Sequence, residues 1–246
     1  MTRITNTLQQ QKLDADDEYA LAVLQGPLSR QRGHAQIVAA SASSKRPKDP
    51  AQRPGPAAVS ISPQTQLALN YWGVVGIKAQ AAGRFNAKAH WWGDVVVGFD
   101  ETHAGDRWHL VGTNIPAAVA AGVSIDAIEA LFDGREEDLS EEDAQYVRFI
   151  REVIAGTVSD ETWRAQVKLV GSERGVIDLL SEYLNLLVHV RVAQALGIQP
   201  EFGREDYDQM IAGLRAGDWP LTDVKAYEDF FRKIDWPRVP LHSEGQ

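Results

Sequence analysis

Apolar residues recur along this chain at the three-to-four-residue spacing of helices, and from about residue 62 onward Ser, Thr and Gly punctuate them. Residues 64–80 carry Leu67, Leu69, Trp72, Val75, Ile77 and Ala79 and run into Gly83, which predicts a helix and its stop. Residues 85–99 hold Trp91, Trp92 and the triplet Val95, Val96 and Val97. β-Branching alone would allow a strand there, but no β-branched partner segment lies nearby, so a helix is predicted. A polar loop at 100–106 precedes a helix over 108–121, ended by Gly122. Ser124 opens 125–132, which Gly134 closes. Ser140, with Asp143 three residues on, gives a capping-box-like start to 141–155, closed by Gly156. Ser159 opens a helix that runs to 169 and stops at Gly171. The longest predicted helix is 175–196, ended by Gly197, and 204–216 and 222–234 add two more. There is no internal repeat, heptad pattern or run of alternating strands. The predicted fold class is all-α.

Residues 1–62 read differently. A short helix is predicted at 16–24, but 25–63 is loaded with Ser, Pro, Ala, Arg and Lys, as in Ser41-Ala42-Ser43-Ser44-Lys45-Arg46-Pro47. With so little to bury, chain entropy opposes a packed structure. The chain therefore divides into a largely extended N-terminal arm at 1–62, a helical domain at 63–200 and a C-terminal helical extension at 201–246. The arm is either a solvated linker or a strap for a neighbouring subunit.

Composition narrows the function. Apolar residues make up 44% of the 246 positions, enough for a packed core, and the net charge of −9 argues against nucleic acid or an anionic membrane surface as the main partner. No apolar run approaches the roughly 20 residues of a spanning helix. The N-terminus carries Asp14, Asp16, Asp17 and Glu18 rather than a basic-then-apolar leader, so a cytoplasmic location is expected. Cysteine is absent, which excludes disulfides, thiolate metal sites and thiol redox chemistry.

Two stretches carry a family resemblance. One is Asn114-Ile115-Pro116-Ala117-Ala118-Val119-Ala120-Ala121-Gly122-Val123-Ser124. The other runs from the capped helix at Ser140 through Val158-Ser159-Asp160-Glu161-Thr162-Trp163 and Gly171-Ser172-Glu173-Arg174 into the long apolar helix. In order and spacing they resemble the carboxymuconolactone decarboxylase family, whose wider group includes the alkylhydroperoxidase D proteins, over roughly 64–198. The resemblance implies an alkylhydroperoxidase D-like helical bundle, a cofactor-free lyase activity and a homo-oligomer (dimer, trimer or hexamer). The family carries a Glu-x-x-x-His element; here Leu110 stands at the Glu position, with His109 beside it, and Asn114 at the His position. The peroxidase branch works through a Cys-x-x-Cys pair, so this chain is not a thiol peroxidase.

Candidate chemistry falls in two places. His109 can move a proton near neutral pH, and Asn114 can hold a carbonyl or enolate oxygen through its amide N–H. Asn114 is otherwise the N-cap of a helix with Pro116 in its first turn, and His109 and His103 are otherwise loop histidines. On the long helix Asp178, Glu182, Asn185 and His189 are spaced by four, three and four residues, which puts them on one stripe. That stripe either meets water or forms the polar wall of an internal pocket, in which case His189 is the acid or base and Glu182 tunes it. Trp91, Trp108, Tyr183 and Asn185 are the candidates for substrate contact; a tryptophan can line a flat apolar pocket or simply fill core. No phosphate loop, serine elbow or metal-ligand spacing occurs, so no cofactor or metal is expected. The expected activity is a lyase, decarboxylase-like, isomerase or cyclase reaction on a small, partly apolar carbonyl or lactone compound. The alternative is a non-catalytic binding or assembly scaffold.

Overall fold

Serine hydroxyls and glycines set the helix boundaries in this computed structural model, which describes residues 14–25, 62–99, 111–195 and 203–233. Among the described residues the structure is helical, with no strand: α1 (Ala15–Gln25), α2 (Pro63–Ala81), α3 (Ala87–Phe99), α4 (Val111–Ala120), α5 (Ile125–Asp133), a 3-10 turn (Glu136–Asp138), α6 (Glu141–Ala155), α7 (Asp160–Val170), α8 (Glu173–Ala195), α9 (Arg204–Ala216) and α10 (Val224–Arg232). Ser62, Ser124, Ser140 and Ser159 each accept a backbone N–H of the first turn they precede. Gly156 and Gly171 sit in the left-handed region at φ 69° and 96° and end α6 and α7 where a Cβ would be strained. At Ser140 the expected box takes a variant form. The Asp143 carboxylate meets the Ser140 hydroxyl at 2.6 Å and the Lys88 ammonium at 2.9 Å, which ties α6 to α3.

Helix α3 is the centre of the molecule. Every residue from Ala89 to Phe99 is buried, as expected of a helix that is apolar all round. It packs against α4, α5, α6 and α8. The valine triplet is helical because neighbours cover it on all sides, and tertiary packing outweighs its weak β preference. Trp91 and Trp92 project about 100° apart and are buried in different directions. Trp91 meets Tyr227 of α10 at 5.3 Å between ring centroids, whereas Trp92 donates to the Asp143 carbonyl at 3.3 Å.

Helix α8 lies along α2 and α3 and buries Val176, Leu179, Tyr183 and Val190, while Ile177 on its other side is 59% exposed. The last two described helices join the same core. Tyr207 of α9 stacks on Phe132 at 4.2 Å and meets Phe99 edge-on at 6.1 Å, and Tyr227 and Phe231 of α10 are fully buried. Helix α1 packs on α2. The remainder of the predicted arm, residues 100–110 with the predicted polar loop at 100–106, and Gly197 lie outside the described residues.

Candidate functional site

A cluster of buried ionisable groups sits where α2, α3 and α8 converge. His90 and Asp94 lie one helical turn apart on α3, and Glu182 faces them from α8. The imidazole Nε2 is 3.4 Å from Glu182 Oε2 and 3.6 Å from Asp94 Oδ2. The three residues are 0%, 2% and 5% exposed, respectively His90, Glu182 and Asp94. Gln80, near the end of α2, accepts from His90 Nδ1 at 2.5 Å, and its own amide nitrogen donates to Glu228 Oε1 of α10 at 2.6 Å. The ring of His90 stacks on Trp91, with centroids 4.5 Å apart and planes 13° from parallel.

Burying two carboxylates beside an imidazole is costly unless they are paired, since an isolated charge in an apolar interior loses far more hydration than one contact returns. One ring nitrogen, Nε2, faces both carboxylates. Asp94 Oδ1 is buried with no hydrogen-bond partner among the described residues. Such an oxygen accepts strongly from any donor brought to it. Around the cluster, Tyr183 donates to the Ala89 carbonyl at 2.7 Å. Burial, with the nearby Tyr146, Asp94 and Glu182, holds its phenol well above the usual range. Tyr146 of α6 is pushed up to about 12, first by burial and then by the charge of Glu142. Burial acts to lower Lys88, but hydrogen bonding and charge from Asp143 and Glu142 outweigh it and hold the ammonium above its ordinary value.

The predicted stripe on α8 divides. Glu182 and Asn185 are buried. Asp178 is paired with Arg84 at 2.7 Å and lies near Arg174 at 3.7 Å, closer to the surface. Asn185 donates to the Leu69 carbonyl of α2 at 2.7 Å, so its amide joins two helices. His189, half-buried, donates from Nδ1 to the Asn185 carbonyl on its own helix at 2.8 Å. The histidine that meets Glu182 is His90, from α3. Trp91 is buried against His90 and Tyr227. Tyr183 is buried under α3 through its hydroxyl bond.

Asn114 is not the N-cap of its helix. α4 begins at Val111, so Asn114 lies inside it and Pro116 is an interior residue. Asn114 is 4% exposed on a helix that packs against α3. His109 and Trp108 fall outside the described residues, as does His103. Among the described residues no group of three or more His, Asp or Glu side chains is arranged to hold a metal ion. None of the described helices is long and apolar enough to cross a membrane.

His90, Asp94, Gln80 and Glu228 were not singled out from the sequence. A signal was present: His90 and Asp94 stand one turn apart in a stretch otherwise built of apolar residues and glycine, where two polar groups are expensive unless they face partners. Compared with known protein families, characterised proteins and solved structures, the chain finds no match.

Proposed function

We propose that this chain is an acid–base enzyme, a cofactor-free lyase of decarboxylase-like type or an isomerase or cyclase, acting on a small, partly apolar carbonyl or lactone compound. The observation that carries the reading is the contact of His90 Nε2 with Glu182 and Asp94 in the interior. An imidazole changes charge near neutral pH and a carboxylate beside it orients and tunes it, which is the equipment for taking a proton from carbon and returning it elsewhere. His90 is the proton carrier in this reading, Glu182 its tuning partner, and Asp94 the group whose second oxygen meets substrate. Asn114, standing where the resemblance places a histidine, holds the carbonyl through its amide N–H. Self-association of subunits, implied by the same resemblance, belongs to this reading.

The test is turnover of a panel of β-keto acids and carboxylated lactones, followed by product release and by deuterium incorporation from solvent. Wild-type protein is expected to turn over at least one class, and His90→Gln to lose about 100-fold or more, the range of a lost acid–base group. Equal turnover by wild type and His90→Gln, with the variant folded, overturns the assignment.

A second reading rests on a separate observation. Tyr183 and Asn185 spend their polar groups on backbone carbonyls of α3 and α2, and the imidazole cluster bridges the same helices, so the polar interior also serves as a fastening. A scaffold of this kind loses its fold rather than a reaction when His90 is replaced, which circular dichroism of the same variant reports.

A further inference from the structure

The buried imidazole touches two residues, Gln80 and Trp91, that are each met in turn by α10. On its edge, His90 Nδ1 lies 2.5 Å from Gln80 Oε1, and Gln80 Nε2 lies 2.6 Å from Glu228 Oε1 on α10. On its face, His90 stacks on Trp91, and Tyr227, the residue before Glu228, packs on Trp91. Helix α10 is anchored beside these contacts by Lys78 Nζ to the Phe231 carbonyl at 3.5 Å and by Arg232 to the Ala81 carbonyl at 3.3 Å.

A primary amide has one donating end and one accepting end. A carboxylate can only accept, so Glu228 draws the nitrogen of Gln80 and leaves its oxygen toward the histidine. That oxygen can only accept in turn, so Nδ1 carries the proton, and Nε2 is the ring atom turned to Glu182 of α8 and Asp94 of α3. We infer that Glu228 is a positioning residue: acting through Gln80, it keeps a proton on Nδ1 of His90 and so assigns proton exchange with Glu182 and Asp94 to Nε2. The docking of the C-terminal helix thereby sets the proton arrangement of a cluster on three other helices. Without the Glu228 carboxylate the Gln80 amide is free to turn over, offer its NH2 group to Nδ1 and send the ring proton to Nε2. The functional meaning of this arrangement rests on the acid–base reading of the same cluster; the arrangement itself does not.

The full chain, labelled with nitrogen-15 at its six histidines, is read by two-bond nitrogen–proton correlation NMR at pH 7, with the His90 ring signals assigned through its backbone. Wild type is expected to show Nδ1 of His90 as a protonated nitrogen. Glu228→Gln, whose amide can accept from Gln80 or donate to it, relaxes the constraint and is expected to show a mixture of the two patterns, whereas Glu228→Leu moves Nδ1 to the unprotonated position with circular dichroism unchanged. A bare Nδ1 in wild type overturns the inference whether or not either variant folds, and so does a folded Glu228→Leu protein with the wild-type pattern. Because no turnover enters the measurement, its failure is distinguishable from failure of the proposed chemistry.

Discussion

Gly76 of α2 and Glu182 of α8 share one volume: a Cβ on Gly76 would overlap the Oε1, Cγ and Cδ atoms of Glu182. The buried carboxylate reaches His90 by lying across a gap in the side-chain surface of α2. On helix propensity alone, Gly76→Ala should gain about 1 kcal/mol. Overpacking and the displacement of a buried, paired carboxylate should outweigh that gain, for a net loss of about 1–3 kcal/mol. Urea unfolding of Gly76→Ala measures it. In a Glu182→Ala background the penalty should shrink or reverse, and a Gly76→Ala protein as stable as wild type would show that Glu182 does not occupy that gap.

The same device recurs one helix over, with a stiffer occupant. A Cβ at Gly93 of α3 would fall within the ring of Tyr183, against Cε1, Cζ and Cδ1. A glutamate can swing away about three side-chain bonds, but a buried phenol held by its bond to the Ala89 carbonyl has only two torsions and no free space. Gly93→Ala should therefore be more destabilising than Gly76→Ala. Tyr183→Phe, which removes only the hydroxyl bond, should cost about 1 kcal/mol. Chemical denaturation of the three variants gives the order, and a milder Gly93→Ala would contradict the packing described for α3 and α8.

The helices themselves were legible in the sequence because their signals are local. Serines before 63, 125, 141 and 160 and glycines at 134, 156 and 171 act on their own turns, and the structure places the boundaries within a few residues of them. The stripe on α8 was legible for the same reason, since spacing fixes which residues share a face. What those residues meet was not. Glu182 pairs with a histidine 92 positions away (182 − 90), through a crossing of α3 and α8 that no periodicity encodes. A local reading sought the partner in His189, two turns along the same helix, whose ring bonds instead to its own backbone. The N-cap alternative for Asn114 does not hold: proline favours a first turn, yet α4 starts at Val111 and accommodates Pro116 inside, where the missing N–H costs one early bond.

Gln166 of α7 is fully buried, and neither its amide oxygen nor its nitrogen has a hydrogen-bond partner among the described residues. An unsatisfied amide in the interior costs about 1–3 kcal/mol. Replacement by an apolar side chain of similar volume removes that cost and keeps the packing. Gln166→Met should be neutral or raise stability by up to about 2 kcal/mol, read as an unchanged or higher midpoint in thermal unfolding. A loss of more than about 1 kcal/mol would show instead that the amide is satisfied.

Alkaline pH should unfold the chain through its buried phenols. Burial raises Tyr146 from an ordinary value of 10.0 to about 12 and raises Tyr183 well above the ordinary value. Between those limits the unfolded chain releases phenolic protons that the native chain retains, so the native state binds more protons and stability falls as pH rises. The contribution is fully present below pH 10 and is lost as pH climbs toward 12 and beyond. The direction follows from burial of the neutral form, which dominates the shift at both rings. Urea midpoints should stay level up to about pH 9.5 and drop steeply above it, with phenolate absorbance from these two rings appearing together with the loss of helix. Tyr146→Phe should flatten that drop, provided the phenylalanine fills the site without its hydroxyl. Midpoints that hold steady through about pH 11.5 in wild type would mean that the two phenols ionise with equal ease in both states.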